Sequence, residues 1–349
     1  MASKKQINVG NVKVGGGSPI SVQTMTNTNT EDIKATISQI KEATIAGCDI
    51  IRVSCPTPES TFALREIIKN SEIPVIADIH FNYKRAIESI ESGAHCIRIN
   101  PGNTPYNGIQ EIVKSAKDHN VSIRIGINSG SVEKEILDKY KEPSVDAIVE
   151  SAVLNCKKLE DLDFTNFKVS VKSSDVRTSI NAYRKLSELI DYPLHLGITE
   201  AGTLFPGTIK SAIGIGSLLA DGIGDTLRVS LSGNIIDEIK VGRQILKSLN
   251  LLKDSVNIIS CPTCARTLID VIGISNSLEN YCEKIQKSLK ISILGCVVNG
   301  IGEALESDIG VFGFKKGIAK IYIKGQEYGI FNDSEILDQI KKLLNKMID

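Results

Sequence analysis

Three cysteines carry the densest chemistry in the chain. Cys261 and Cys264 flank a Pro-Thr pair, which puts two thiols on one tight turn, and Cys296 follows a short apolar run at 291–294. Soft thiolates suit zinc or an iron–sulfur cluster. A structural zinc site normally takes a fourth Cys or His. Cys282 is available, but it lies in a helical stretch with no partner spacing, and the His residues lie far upstream. A cluster on three cysteines leaves one iron without thiolate, open to an oxygen ligand such as Glu303 or to a substrate oxygen. Spacing alone leaves zinc, a redox pair and chance open as readings. The string SCPT at 54–57 repeats SCPT at 260–263 without a second cysteine to complete it. Cys55 therefore reads as a buried free thiol, as do Cys48, Cys96, Cys156 and Cys282.

A second set of residues recurs where short β-branched runs end. These are Arg52, Asp78, Arg98 with Asn100, Arg124 with Asn128, Lys172, Glu200, and Arg228 with Ser230. An ordinary core has no use for them. Five basic residues around two carboxylates, Asp78 and Glu200, suit a substrate with several negative charges, and a diphosphate better than a single phosphate. The plainer reading is a series of surface ion pairs at loop starts, which explains one such residue better than the whole set. His80 and His195 lie at or beside run ends and can line the same mouth, although a lone His is more often structural.

The elements that must position these groups follow from periodicity. Runs at 20–23, 50–53, 75–78, 96–99, 123–127, 167–171, 194–198 and 226–229 alternate with amphipathic segments. One such segment, 31–46, carries Ile33, Ile37 and Ile40 at helical spacing and stops at Gly47. Eight strand–helix repeats predict a TIM (β/α)8 barrel whose strand ends converge on one mouth. A doubly wound open sheet is the alternative. Gly214-Ile215-Gly216 lacks the third glycine of a dinucleotide fingerprint, and Gly15–Gly17 lacks the Lys-Ser/Thr of a P-loop.

The rhythm changes after Leu252. Strands at 256–259, 291–294 and 319–323 with two helices predict a small α/β domain, giving domains 1–253 and 254–349. The last helix is expected to begin at Asp333 or Ser334 acting as N-cap. Glycines at 295, 300, 302, 310, 313 and 317 imply sharp backbone turns near the cysteines.

Composition narrows the class. Lys plus Arg and Asp plus Glu each number 41, so the formal net charge is zero, and tryptophan is absent. Neither a basic excess nor an aromatic platform supports nucleic-acid or membrane-surface binding. No apolar run approaches a membrane span, and residues 1–9 lack the apolar core of a secretory signal. A cytoplasmic enzyme is expected, in which eight cysteines favour metal ligands or free thiols over disulfides.

Taken in order, several strings resemble the 4-hydroxy-3-methylbut-2-enyl diphosphate synthase family of the methylerythritol phosphate isoprenoid pathway. They are VQTMTNT at 22–28, ADIHF at 77–81, RINPGN at 98–103, RIGIN at 124–128, KVSVK at 168–172, HLGITEAG at 195–202, DTLRVS at 225–230, CPTC at 261–264 and GCVVNGIGE at 295–303. They span nearly the whole chain. The resemblance implies a TIM barrel joined to a small cluster domain. It implies a [4Fe–4S] cluster on Cys261, Cys264 and Cys296 with Glu303 as fourth ligand. It also implies a head-to-tail homodimer in which one subunit's cluster domain caps the other's barrel. The implied substrate is 2-C-methyl-D-erythritol 2,4-cyclodiphosphate, reduced by flavodoxin or ferredoxin, and the preference between donors does not follow from a two-domain layout.

On that resemblance, Arg52, Arg98, Arg124, Lys172 and Arg228 hold the diphosphate, and Asp78 and Asn128 orient it. Glu200 delivers a proton, Asn299 binds the oxygen at the cluster, and substrate displaces Glu303. Ile301 stands where many members have Pro, which loosens the Glu303 loop without removing a ligand. The cluster is expected to be lost readily in air, and the linker near Lys253 is the expected hinge. Two other readings remain: a non-redox barrel enzyme with zinc at the cysteines, and a non-catalytic iron–sulfur scaffold.

Overall fold

The computed structural model describes residues 3–80, 82–100, 104–252, 254–283 and 285–348. The chain divides into two compact units, Met1–Leu251 and Leu252–Asp349. The hinge expected at Lys253 lies outside the described residues.

The first unit opens with a hairpin that the periodicity did not predict, β1 (Gln6–Val9) paired antiparallel with β2 (Val12–Gly15). Strand–helix repeats follow: β3 (Ser21–Met25), α1 (Ile33–Ile45), β4 (Ile50–Ser54), α2 (Pro58–Lys69), β5 (Val75–Asp78), α3 (Tyr83–Glu91), β6 (Cys96–Ile99) and α4 (Tyr106–Asp118). The series continues with β7 (Ser122–Asn128), α5 (Lys134–Tyr140), α6 (Val145–Glu160), β8 (Phe167–Lys172), α7 (Val176–Leu189), β9 (His195–Leu196), α8 (Leu204–Ala220), β10 (Thr226–Leu227) and α9 (Ile235–Ser248). The strands pair in parallel in the order β8-β7-β6-β5-β4-β3-β10-β9, and a parallel bridge between Val169 and Leu194 joins the two ends. This is the TIM barrel that the strand–helix alternation predicts.

The runs at 194–198 and 226–229 pair over only two residues each, β9 and β10, although Ile198 and Val229 beyond them are fully buried. The hairpin fills the opposite end of the barrel. Ile7, Val9 and Val14 pack on Ile50, Ile76 and Cys96, which start or nearly start their strands. Apolar residues thus seal the floor, and polar residues are left to the layers above it. Gly214 and Gly216 lie inside α8, as expected of a helix and not of a phosphate loop.

The second unit contains a five-stranded sheet: β11 (Val256–Ser260), β12 (Leu289–Leu294), β13 (Ile309–Lys315), β14 (Ile318–Ile323) and β15 (Gln326–Asn332). The first three are parallel and the last two antiparallel. Its helices are α10 (Val271–Cys282), α11 (Val297–Leu305) and α12 (Asp333–Ile348), three where two were expected. Strand residues of one parity, including Ile291, Ile293, Val311 and Ile321, pack with α10 and α12. Leu294 and Phe312, of the other parity, pack with Ala304 of α11. The period-2 alternation therefore puts α11 on the opposite face from α10 and α12.

One expectation needs correction here. The glycines were read as sharp turns, yet Gly310 and Gly313 lie within β13, Gly300 and Gly302 lie within α11, and among these positions only Gly317 has a turn-type φ, +71°. Their role is close packing: a Cβ at Gly300 would collide with Phe312, and one at Gly310 with Ala304. The last helix begins at Asp333, one of the two expected starting residues. The Asp333 carboxylate accepts from the Asp270 N–H at 3.1 and 3.2 Å.

Candidate active site

Strand register brings the basic residues together. Arg98 on β6 pairs in register with Arg124 on β7, which pairs with Lys168 on β8, and Asn128 pairs with Lys172. Asp78 on β5 pairs with Arg98. Residues two apart along a strand share a face, so these side chains point into the barrel while the residues between them pack under the helices. Two glycines make room for them. A Cβ at Gly126 would stand 2.7 Å from Arg98 Nε, and one at Gly197 would stand 2.5 Å from Lys172 Nζ.

The charges are buried. Arg52 is 8% exposed, Arg98 5%, Arg124 2%, Lys172 7% and Lys168 0%. Asp78 is the local anion, with Oδ1 3.4 Å from Arg98 and 3.9 Å from Arg52 and Oδ2 3.3 Å from His80 Nε2. Burial pushes the Asp78 carboxyl up, but Arg52, His80, Arg98 and Arg124 outweigh it and hold it well below the ordinary carboxylate range. His80 also lies 2.9 Å from Arg98 and so does line the mouth. Burial, then the neighbouring cations, depress Arg124 and Lys172 well below their usual values, and burial brings Arg52 to about 10. His195 is fully buried with neither ring nitrogen hydrogen-bonded, and burial beside Lys172 and Arg124 keeps it neutral.

Arg228 is held differently. Its Nε lies 3.3 Å from Glu238 Oε2, and Glu238 also accepts from Thr24 Oγ1 at 2.6 Å and from the Leu231 N–H at 2.9 Å. Glu238 is the carboxylate that sequence reasoning missed; in the first turn of α9 it reads as an ordinary helix N-terminal charge. Lys168 was missed as well, though its place in KVSVK alternates with Lys172. Glu200 occupies an exposed turn with φ +53° and forms no ion pair among the described residues. Asn100 is buried just past β6; Asn128 and Ser230 are partly buried at their strand ends. Phe81 and residues 101–103, which belong to two of the motifs, lie outside the described residues.

Six cations, Arg52, Arg98, Arg124, Lys168, Lys172 and Arg228, thus share the barrel interior with two buried carboxylates, Asp78 and Glu238. Arg124 Nε and Nη1, Arg98 Nε and Lys168 Nζ are buried without a hydrogen-bond partner. Unpaired buried charge costs several kcal/mol per group. A polyanionic ligand offsets that cost, and no ordinary core feature does.

Of the four thiols in the second unit, Cys282 is buried, Cys261 and Cys296 are partly exposed and Cys264 is exposed; the four thiols of the first unit are all buried. Cys261 follows β11 and Cys296 follows β12, two strands paired in parallel. The Cys261 N–H donates to Ile293 O at 3.2 Å, and the Gly295 N–H donates to Cys261 Sγ at 3.1 Å. The Leu268 N–H donates to Gly295 O at 2.9 Å, tying the CPTC loop to the Cys296 loop. Cys296 is the N-cap of α11, so Asn299, which is exposed, and Glu303 ride on the same helix. Seven residues is two turns, which puts Glu303 on the same side of α11 as Cys296.

Among the described residues no three His, Cys, Asp or Glu side chains converge to metal-ligating distance. The donor set still fits an iron–sulfur cluster. Three accessible soft thiols lie at one end of adjacent strands, one already accepts a backbone N–H, and Glu303 Oε2 is a buried carboxylate oxygen without a hydrogen bond.

Residues 4–243 match the GcpE TIM-barrel domain and residues 257–346 match the GcpE protein C-terminal domain. A 4-hydroxy-3-methylbut-2-en-1-yl diphosphate synthase (flavodoxin) from Rhodospirillum rubrum is 54% identical over 348 residues, covering 98% of this chain and 91% of that one. A protein of the same name from Clostridium acetobutylicum is 51% identical over 344 residues, covering 98% of both chains. Among solved structures, Yersinia pestis dihydropteroate synthase superposes with a TM-score of 0.51 at 10% identity, covering 71% of this chain and all of that one. Type I 3-dehydroquinate dehydratase from Clostridium difficile gives 0.52 at 15% identity, covering 70% and 97%. These two likenesses concern the fold alone. Among the described residues no helix is long and apolar enough to cross a membrane.

Proposed function

The chain belongs to the GcpE family, and from that membership we infer that it is an iron–sulfur oxidoreductase acting on 2-C-methyl-D-erythritol 2,4-cyclodiphosphate. The substrate takes up two electrons and one proton, its cyclic diphosphate opens at C2, the C3 oxygen leaves as water, and 4-hydroxy-3-methylbut-2-enyl diphosphate results. The observation that carries this reading is the excess of buried, partly unpaired positive charge inside the barrel.

Arg52, Arg98, Arg124 and Lys172 take the diphosphate oxygens. Arg228, braced by Glu238, closes the ring of charge. The same groups stabilise the oxygen that departs from C2, where negative charge develops. Their positions are set before substrate arrives, so no reorganisation is needed during the step. Asp78 stays ionised among its bases and orients Arg52 and Arg98. It is therefore no proton donor, and Glu238 is committed to Arg228, Thr24 and Leu231. That leaves Glu200, exposed on its turn, to deliver the proton to the leaving C3 oxygen. Asn100, Asn128 and Ser230 hydrogen-bond hydroxyl and phosphate oxygens, and Asn299 binds substrate oxygen from α11.

Cys261, Cys264, Cys296 and Glu303 would hold a [4Fe–4S] cluster, which supplies single electrons and one Lewis-acidic iron. Flavodoxin is the donor named for the relatives, and ferredoxin is the chemical equivalent. Val298, Ile301 and Leu305 expose apolar surface on α11, which supports an arrangement in which a second subunit covers this end, head to tail. The domains are read as 1–253 for substrate and 254–349 for the cluster.

Two measurements on oxygen-free protein test the reading. Iron analysis should return about four irons per chain, lost in Cys296→Ser. Calorimetric titration should show the cyclic diphosphate binding, with binding abolished in Arg124→Met. A zinc-loaded, iron-free protein, or equal binding by the variant, contradicts it.

A further inference from the structure

Lys290 lies on β12, outside every motif named above, with its Nζ 3.5 Å from Glu303 Oε2 and 3.8 Å from Glu306 Oε2. Its backbone is pinned: the Lys290 N–H donates to Asp308 Oδ2 at 2.8 Å, and the Asp308 N–H donates to Lys290 O at 2.9 Å. The root of the side chain is therefore rigid while its ammonium stands between two carboxylates, both on or just past α11. Glu303 Oε2 is buried and receives no hydrogen bond, so a charge pair at ion-pair distance is its only stabilisation among the described residues.

We propose that Lys290 is a positioning residue that receives the Glu303 carboxylate whenever it leaves the cluster, with Glu306 holding the ammonium in the alternate state. The proposal rests on Glu303 being a cluster ligand. The exchange is simple: one iron–carboxylate bond breaks and one ion pair forms, with no electron or proton transferred. A carboxylate released from iron into a half-buried position with no counter-charge pays a desolvation cost. Lys290 removes most of that cost. When Glu303 returns to iron, Glu306 keeps the ammonium paired, so neither state strands a charge. The lysine thereby lets Glu303 be a ligand that substrate can displace.

The pair is partly exposed, with side chains 32% and 38% accessible, so the effect is that of a surface pair, a factor of about three to five in an equilibrium. The test compares wild type, Lys290→Met, Lys290→Arg and Glu303→Gln as cluster-loaded, oxidised protein, which cannot turn over. Chelator-driven iron release is followed by absorbance, and cyclic diphosphate affinity by calorimetry. In Lys290→Met, iron release slows about threefold and the Kd rises about threefold, while Lys290→Arg keeps both near wild type. In a Glu303→Gln background, Lys290→Met changes neither. The proposal is overturned if Lys290→Met matches wild type while Glu303→Gln alters both readouts. If Glu303→Gln alters neither, the ligand assignment fails and the role of Lys290 fails with it.

Discussion

Arg124 and Lys168 show what the barrel asks of single side chains. Arg124 is buried among other cations with two of its nitrogens unpartnered, which is unfavourable until an anion arrives. Arg124→Met should therefore lower kcat/KM at least about 100-fold, yet stabilise the ligand-free protein by about 1–3 kcal/mol in urea unfolding. A loss of both stability and activity would mean that Arg124 is structural. Asp78→Asn should do the reverse to stability, costing about 3–5 kcal/mol, because Arg52 and Arg98 lose their buried counter-charge. Asp78 is depressed in the fold, so its contribution is present above the ordinary carboxylate range and is lost as pH falls through and below it.

Lys168 works in the other direction. Burial brings its ammonium to about 8, against an ordinary 10.5. Between those values the unfolded chain binds the proton and the folded one does not, so the penalty is full below pH 8 and fades as pH rises to 10.5. Lys168→Met should be the more stable protein by about 3 kcal/mol at pH 7, with the gap closing by about pH 10. A gap that is constant between those two pH values would contradict this account.

At the scale of elements, packing decides where the chemistry sits. Gly197 allows Lys172 to cross β9, because a Cβ there would stand 2.5 Å from Nζ and 2.7 Å from Arg228 O. Gly197→Ala should thus reduce substrate affinity at least about tenfold with little change in secondary structure, measured by calorimetry and circular dichroism. The sequence revealed the barrel strands through their β-branched runs, and it revealed Arg52, Arg98, Lys172 and Arg228 because each falls at or beside a run's end, whereas Arg124 lies near the start of β7. It hid Glu238, whose partner Thr24 lies on β3 at the other end of the unit's sequence. It hid β13 because Gly310 and Gly313 resemble turn residues, whereas they admit α11 and the Gly295 backbone. It hid β15 because that strand buries none of its side chains. Spacing alone left zinc, a redox pair and chance open for Cys261, Cys264 and Cys296, and the three are more exposed than the other five cysteines.

At the scale of the whole molecule, the proposed function assigns the two units different halves of one reaction. In that proposal the buried positive charge of the first receives a polyanion, and the thiols and carboxylate of the second would hold a metal cluster. The most direct test is phosphorus NMR of the cyclic diphosphate incubated without oxygen with cluster-loaded protein and reduced flavodoxin. The account predicts conversion of the cyclic to the linear diphosphate, dependent on the reductant and absent in Cys296→Ser. Unchanged cyclic diphosphate in the presence of intact cluster and excess reductant, or conversion that persists in Cys296→Ser, would contradict it.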